Sequence, residues 1–334
     1  VPKLSIIIPV VGNLTWLEDT LLSVLPNRPD DCEVVVVLDT PYDDPYQLKD
    51  EIRFVEASPQ AGFVESVNLG ITASRSPLIH VLLCGCQVSE GWTETALCHF
   101  NDPRVATVVP LVVGPGESPR VLAAGMSYQA GGRVGMLGRG QSPQAASRCQ
   151  KRLLGASLAA GFYRKSALEM VGLFSHDVSG WLASVDLGLA LEQAGFRAVL
   201  EPECRVTAAH PLARPIGTFR RSLDLERLFW RWGPRGGWPL SLTLHGFTVA
   251  AESLGGLFTL SLPSQLAGRV AGLSRIGSHR RQYQRLEQLR QLSPSSSTLA
   301  VPHFLRESVE TPVPASVTHN GVTRSCESKI GAQR

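Results

Sequence analysis

Four short apolar runs near the start of the chain constrain its fold more than any other feature: Leu4 to Val10, Glu33 to Leu38, Ile52 to Glu56 and Leu78 to Leu83. Runs rich in Val and Ile, without polar alternation, suit strands buried on both faces of a parallel sheet. Between the first two, Leu14, Leu17, Leu21, Leu22 and Leu25 recur at helical spacing, and a second helix is expected from about Val64 to Ser74. Strands alternating with helices predict an open, mostly parallel α/β sheet, which takes ligands beyond the carboxyl ends of its strands. Pro9 is read as ending the first strand and Asp39 as stopping the second.

The remainder is less regular. Val105 to Val113 reads as a strand, the glycines between Gly125 and Gly140 as turns, and Lys165 to Val171 as a helix. A further helix is expected from about Ser184 to Ala194, with Ser184 as its N-cap, followed by a strand from Phe196 to Leu200. Charge is uneven: residues 213–293 hold twelve Arg, no Lys and four acids, a local +8 in a chain whose total is +3. From Ser293 the sequence becomes Ser/Pro/Thr-rich and aperiodic, the composition of a disordered tail. The expected division is a domain at 1–212, an arginine-rich helical extension at 213–292 and that tail at 293–334.

With 43% hydrophobic and 18% charged residues, the composition is that of a globular protein. Seven Cys show no regular framework, which favours a reducing, cytoplasmic setting, and no secretory signal is visible after Val1-Pro2-Lys3. Leu240 to Leu262 is apolar but carries His245 and Glu252, so a buried or interfacial helix pair is expected there and not a membrane span. The basic helices around Arg220, Arg221, Arg227, Arg231 and Arg235 have two readings: a peripheral contact with the inner face of a membrane, or a solvated face. Nucleic acid is not an expected partner, since no recognised binding module accompanies the charge.

Several blocks, in order from Leu4 to His210, resemble family 2 glycosyltransferases and within them rhamnosyltransferase-like members. LSIIIPV resembles the first strand, and VVVVLDT the second, whose Asp contacts the base; AGFVESVNLGI resembles the stretch that brings Gly62, Phe63, Asn68, Gly70 and Ile71 into register. GASLAAGFYRKSALEMVGLF resembles the acceptor-side block, with Arg164, Gly172 and Phe174 fitting it. The resemblance implies a GT-A type Rossmann-like sheet with a helical C-terminal extension. It also implies a nucleotide-diphospho-sugar donor, a glycan or lipid-linked acceptor and an inverting transfer, in the setting of cell-envelope polysaccharide. Pro9, Asp39, Gly62, Asn68, Cys84, Cys86, Arg164 and His210 are the donor-binding positions it implies. His80 is expected in the core, and Trp92 either in the core or facing sugar.

Two departures fall on the chemistry. Where the family carries an Asp-x-Asp motif, this chain has Cys84-Gly85-Cys86, and where it carries Glu-Asp-Val-Asp-Leu, the chain has Ala183-Ser184-Val185-Asp186-Leu187. Thiols are poor ligands for Mg²⁺ or Mn²⁺, so the family's metal is not expected at Cys84 or Cys86; His210 is a metal contact only if one is bound. Asp186 is the remaining candidate base, set on a different helical face from the substituted Ser184. Arg139, Arg148, Lys151, Arg152, Arg214, Arg220 and Arg221 are candidates to neutralise a diphosphate in place of the metal. The alternative is an inactive relative that acts as a binding or regulatory partner.

Overall fold

The computed structural model describes residues 1–11, 14–208, 216–233 and 237–274. Its strands are β1 (Leu4–Val10), β2 (Cys32–Leu38), β3 (Ile52–Glu56), β4 (Leu78–Leu82), β5 (Cys86–Val88), β6 (Val105–Val113), β7 (Val121–Ala123), β8 (Met126–Tyr128), β9 (Val134–Met136), β10 (Ala160–Arg164) and β11 (Arg197–Ala208). The helices are α1 (Leu17–Asn27), α2 (Phe63–Ala73), α3 (Glu94–Cys98), α4 (Pro143–Ala146), α5 (Lys165–Val171), α6 (Leu182–Gln193), α7 (Thr218–Trp232), α8 (Trp238–Phe258) and α9 (Leu262–Leu273).

The main sheet runs β3-β2-β1-β4-β10-β6-β11-β5, with β7 joined to β6. Its first four strands are parallel, as the apolar runs predict. The second half is mixed: β10 is antiparallel to both β4 and β6, and β5 is antiparallel to β11. The expectation of a mostly parallel sheet holds only for the βαβ portion. β10 is reached through the β8–β9 hairpin and the short helical turns of residues 143–152, not through a long crossover helix, so nothing forces it parallel.

Alternation along β1 divides the core. Ile7 points into a cluster with Val67 and Ile71 of α2, Leu168 of α5 and Val185 of α6, whereas Ile6 and Ile8 point into one with Leu17, Leu21 and Val24 of α1. Helix α6 is buried on nearly every side, which explains why its hydrophobic residues show no single face. Gly70 lies so close to Ile7 and Val37 that a side chain there would displace them, and this lets α2 settle on the sheet.

Two local expectations are corrected. Pro9 does not end its strand: β1 continues to Val10, paired with Leu38. The ladder to β4 does stop at Ile7 and Val81, so β1 and β4 have parted before Pro9. Ser184 is not a cap either, because α6 begins at Leu182, after Trp181, and Ser184 is buried within its first turn.

Candidate functional site

The parting of β1 and β4 lies at the topological switch of the parallel strands, where the chain leaves β1 for β2 on one side and β4 occupies the other. Ligand crevices in open α/β sheets form at such points. Asp39 follows β2 at this carboxyl edge; it is buried and accepts a 3.1 Å hydrogen bond from the Thr40 hydroxyl. Gly62 precedes α2 at the same edge, with open space where a side chain would project.

Cys84 and Cys86 flank the turn after β4, but their side chains go into the core. They are only 9% and 1% exposed and join the cluster beneath α1. Gly85 makes the turn at φ 93°, and its N–H donates to Thr20 Oγ1 of α1 at 2.8 Å. Burial pushes both thiols up to about 12, which keeps them protonated. A hard divalent cation needs exposed oxygen donors, and this turn offers two buried, neutral sulfurs, so the residues here do not fit the family's metal. Among the described residues no group of three His, Cys, Asp or Glu side chains is placed to hold a metal ion.

Asn68 sits within α2, and its side chain is engaged by the backbone of Phe174. Its amide donates to the Phe174 carbonyl at 2.8 Å and accepts from the Phe174 N–H at 3.0 Å, with His176 Nε2 also 3.3 Å away. It clasps the loop between α5 and α6. Arg164 is further from the expected role. It pairs in register with Leu78, at the amino end of β4, and its guanidinium donates to the carbonyls of Phe100, Asp102 and Val105. An arginine committed to backbone at the opposite edge of the sheet cannot reach a donor beyond the carboxyl ends. His80 and Trp92 form part of the core: the indole N–H donates to His80 Nε2 at 3.4 Å, and the imidazole stacks on Phe162 at 3.8 Å.

Near the start of α6 stands Ser184, at the position where the sequence resemblance expects a base, and its buried hydroxyl has no hydrogen-bond partner. A hydroxyl with no base beside it cannot take the acceptor proton. Asp186 is closed off as well: Arg231 donates to one carboxylate oxygen at 2.8 Å and the Trp232 indole to the other at 2.7 Å. Burial raises its carboxyl pKa, with Arg231 and Trp232 pulling the other way. Arg231 also donates to Asp177 at 2.6 Å and to the Ser175 hydroxyl at 3.1 Å. A cavity of about 260 Å³, bordered by Ser175, His176, Asp177 and Asp186, lies along this cluster.

Of the arginines of α7, Arg227 and Arg231 turn inward, whereas Arg220 and Arg221 at its start remain exposed. Arg231 is fully buried, Arg227 donates to the Asp177 carbonyl, and Arg220 is held by Asp224 and Ser179. Arg221 lies 3.8 Å from Glu252. Of the other candidate cations, Lys151 and Arg152 border a cavity of about 490 Å³ shared with Glu192, near the carboxyl end of α6 and thus toward the amino edge of the sheet. His210 and Arg214 lie outside the described residues. Asp177 and Arg231 were missed as members of one cluster; the only sequence sign was an arginine in a helix whose apolar face would bury it.

A family model described as glycosyl transferase family 2 matches residues 5–170. Over 123 residues, 33% of this chain, the sequence is 32% identical to mouse (Mus musculus) polypeptide N-acetylgalactosaminyltransferase 12, of which it covers 21%. Over 212 residues, 62% of this chain, it is 26% identical to the pre-mycofactocin glycosyltransferase of Mycobacterium tuberculosis (strain CDC 1551 / Oshkosh), of which it covers 42%. The chain thus spans less than half the length of these curated relatives. Among solved structures, GalNAc-T7 with UDP, GalNAc and Mn²⁺ superposes with a TM-score of 0.52 at 15% identity, covering 68% of this chain and 47% of the other. At that identity the likeness shows the fold alone, a sheet of the GT-A type.

Proposed function

We propose, from the match of residues 5–170 to a glycosyl transferase family 2 model, that this chain binds a nucleotide-diphospho-sugar at the carboxyl edge of β1, β2 and β4. The observation that carries this reading is the parting of β1 and β4 beyond Ile7 and Val81, with Asp39 after β2 and Gly62 before α2 at the same edge. Asp39 would hold the base or ribose by accepting hydrogen bonds. The donor is held without a divalent cation at Cys84-Gly85-Cys86, since those thiols are buried and protonated. Transfer would go with inversion to a glycan or lipid-linked acceptor, and the rhamnosyltransferase-like motifs favour a hexose or deoxyhexose. A cytoplasmic role in cell-envelope polysaccharide fits the motif resemblance.

A second reading is favoured by one observation: neither Ser184 nor Asp186 presents a free carboxylate. On that reading the chain keeps the donor crevice and acts as an inactive binding or regulatory partner. Calorimetric titration with UDP-, GDP- and dTDP-sugars, with and without Mn²⁺, together with an assay of nucleotide release, separates the possibilities. Binding without metal and with turnover supports transfer; binding without turnover supports the partner role. Failure to bind any of these donors, or binding only with Mn²⁺, overturns the metal-free donor site.

A further inference from the structure

The α8–α9 hairpin has its polarity turned inside out. Between residues 237 and 274 the sequence has two charged side chains, Glu252 and Arg269, and one histidine, His245. All three face α7. Arg269 donates to Glu226 at 2.8 Å and to Glu252 at 2.5 Å, while His245 lies 3.3 Å from Glu226 and stacks on Phe229. The outward side is apolar. Leu240, Leu244, Phe247, Leu254 and Phe258 are exposed at helical spacing along one side of α8, and Leu266, Val270 and Leu273 are exposed along α9. At the bend, Phe258 and Leu260 are 90% and 91% exposed.

A contiguous apolar surface without charge marks a contact with something apolar. Two observations select the occupant. The chain leaves α9 directly into residues 275–292, which hold five Arg and one Glu, and Arg220 and Arg221 open α7 beside α9. Two copies meeting through this surface would bring like charges together, whereas an anionic bilayer accepts the apolar side chains and attracts the arginines. Insertion across the bilayer is excluded for the described residues, since none of their helices is long and apolar enough to cross a membrane. We infer that the α8–α9 hairpin lies flat in the interface of an anionic phospholipid membrane, with the Phe258–Leu260 bend inserted and α7 above it. The contact element is this apolar hairpin and not Arg227 and Arg231 of α7, which turn inward. The inference goes beyond donor binding and stands without it.

The test uses the full chain with vesicles of phosphatidylcholine, with and without phosphatidylglycerol, read by co-sedimentation. Binding is expected to the phosphatidylglycerol vesicles, to weaken with added salt, and to fall at least about tenfold when Phe258→Ser and Leu260→Ser are combined. Replacing Arg275, Arg280, Arg281, Arg285 and Arg290 by Gln is expected to remove the preference for the anionic lipid. Phe258 and Leu260 are exposed and pack against nothing that folding depends on, and circular dichroism of that variant checks that it folds. No sedimentation with either vesicle, or binding unaltered by the Phe258/Leu260 substitutions, overturns the inference. A dimer in light scattering that those substitutions disperse, without vesicle binding, also overturns it and assigns the surface to self-association. Donor calorimetry on the same variant is expected to be unchanged, so failure here is distinguishable from failure of the donor site.

Discussion

Asp186 and Arg231, on α6 and α7, meet at 2.8 Å with both side chains closed off from solvent. The contact ties α6 to α7, both of which lie beyond the matched residues 5–170. Its energetics follow from burial. Removing one partner strands a charge in the interior, whereas removing both does not. Arg231→Met is expected to cost about 3–5 kcal/mol in urea unfolding, and Asp186→Leu combined with Arg231→Met to recover much of that. A single substitution costing less than about 1 kcal/mol would show that the pair is not shielded.

Cys86→Asp restores a family residue type yet should not restore a metal site. The position is nearly inaccessible, and a carboxylate placed there pays its desolvation without a partner. The variant is expected to lose several kcal/mol of stability, roughly the cost of an unpaired buried ion. Thermal melts with and without Mn²⁺ are the measurement. A rise in melting temperature on adding Mn²⁺ would mean that the turn opens and accepts the ion.

The Asn68 clasp predicts a structural cost. Asn68→Ala removes both hydrogen bonds to Phe174 and leaves a buried carbonyl and N–H, an expected loss of about 2–3 kcal/mol. Asn68→Asp keeps the acceptor but sets an oxygen against the Phe174 carbonyl, so it should be no better than Ala. Chemical denaturation compares the two.

His80 gives the fold an acid-sensitive element. Burial holds its imidazole down to about 3, well below an unfolded histidine near 6.5. Because the folded value is depressed, the stabilisation is complete above pH 6.5 and is lost as pH falls toward 3. At pH 5 the loss amounts to about 2 kcal/mol relative to pH 7, from a pKa unit's worth of 1.36 kcal/mol. His80→Met should be less stable at pH 7 but lack this part of the slope, as read from unfolding midpoints at both pH values.

At the crevice, Asp39→Ala is expected to weaken nucleotide-sugar binding by about 1–3 kcal/mol, the cost of a lost hydrogen-bonding partner. Cys84→Ser should change it little, because the thiol faces Thr20 and the core. Calorimetry on both variants decides this, and an equal loss for Cys84→Ser would place the thiol in the site.

The amino-acid sequence by itself determined the parallel half of the sheet, since unbroken Val and Ile runs can be satisfied only by strands covered on both faces. It also determined that carboxylates are absent from Cys84-Gly85-Cys86 and from Ser184, which is a matter of residue identity. Only the tertiary structure decided where the polar side chains are spent. Asn68 closes a loop, Arg164 serves the far edge of the sheet, and Asp186 is neutralised by an arginine that sequence patterning placed on a solvent or membrane face. Hydrophobic periodicity is local and survives reading residue by residue. Partner choice among polar groups depends on which distant segments are brought within 3 Å, and so does the side of α8 that a membrane would meet.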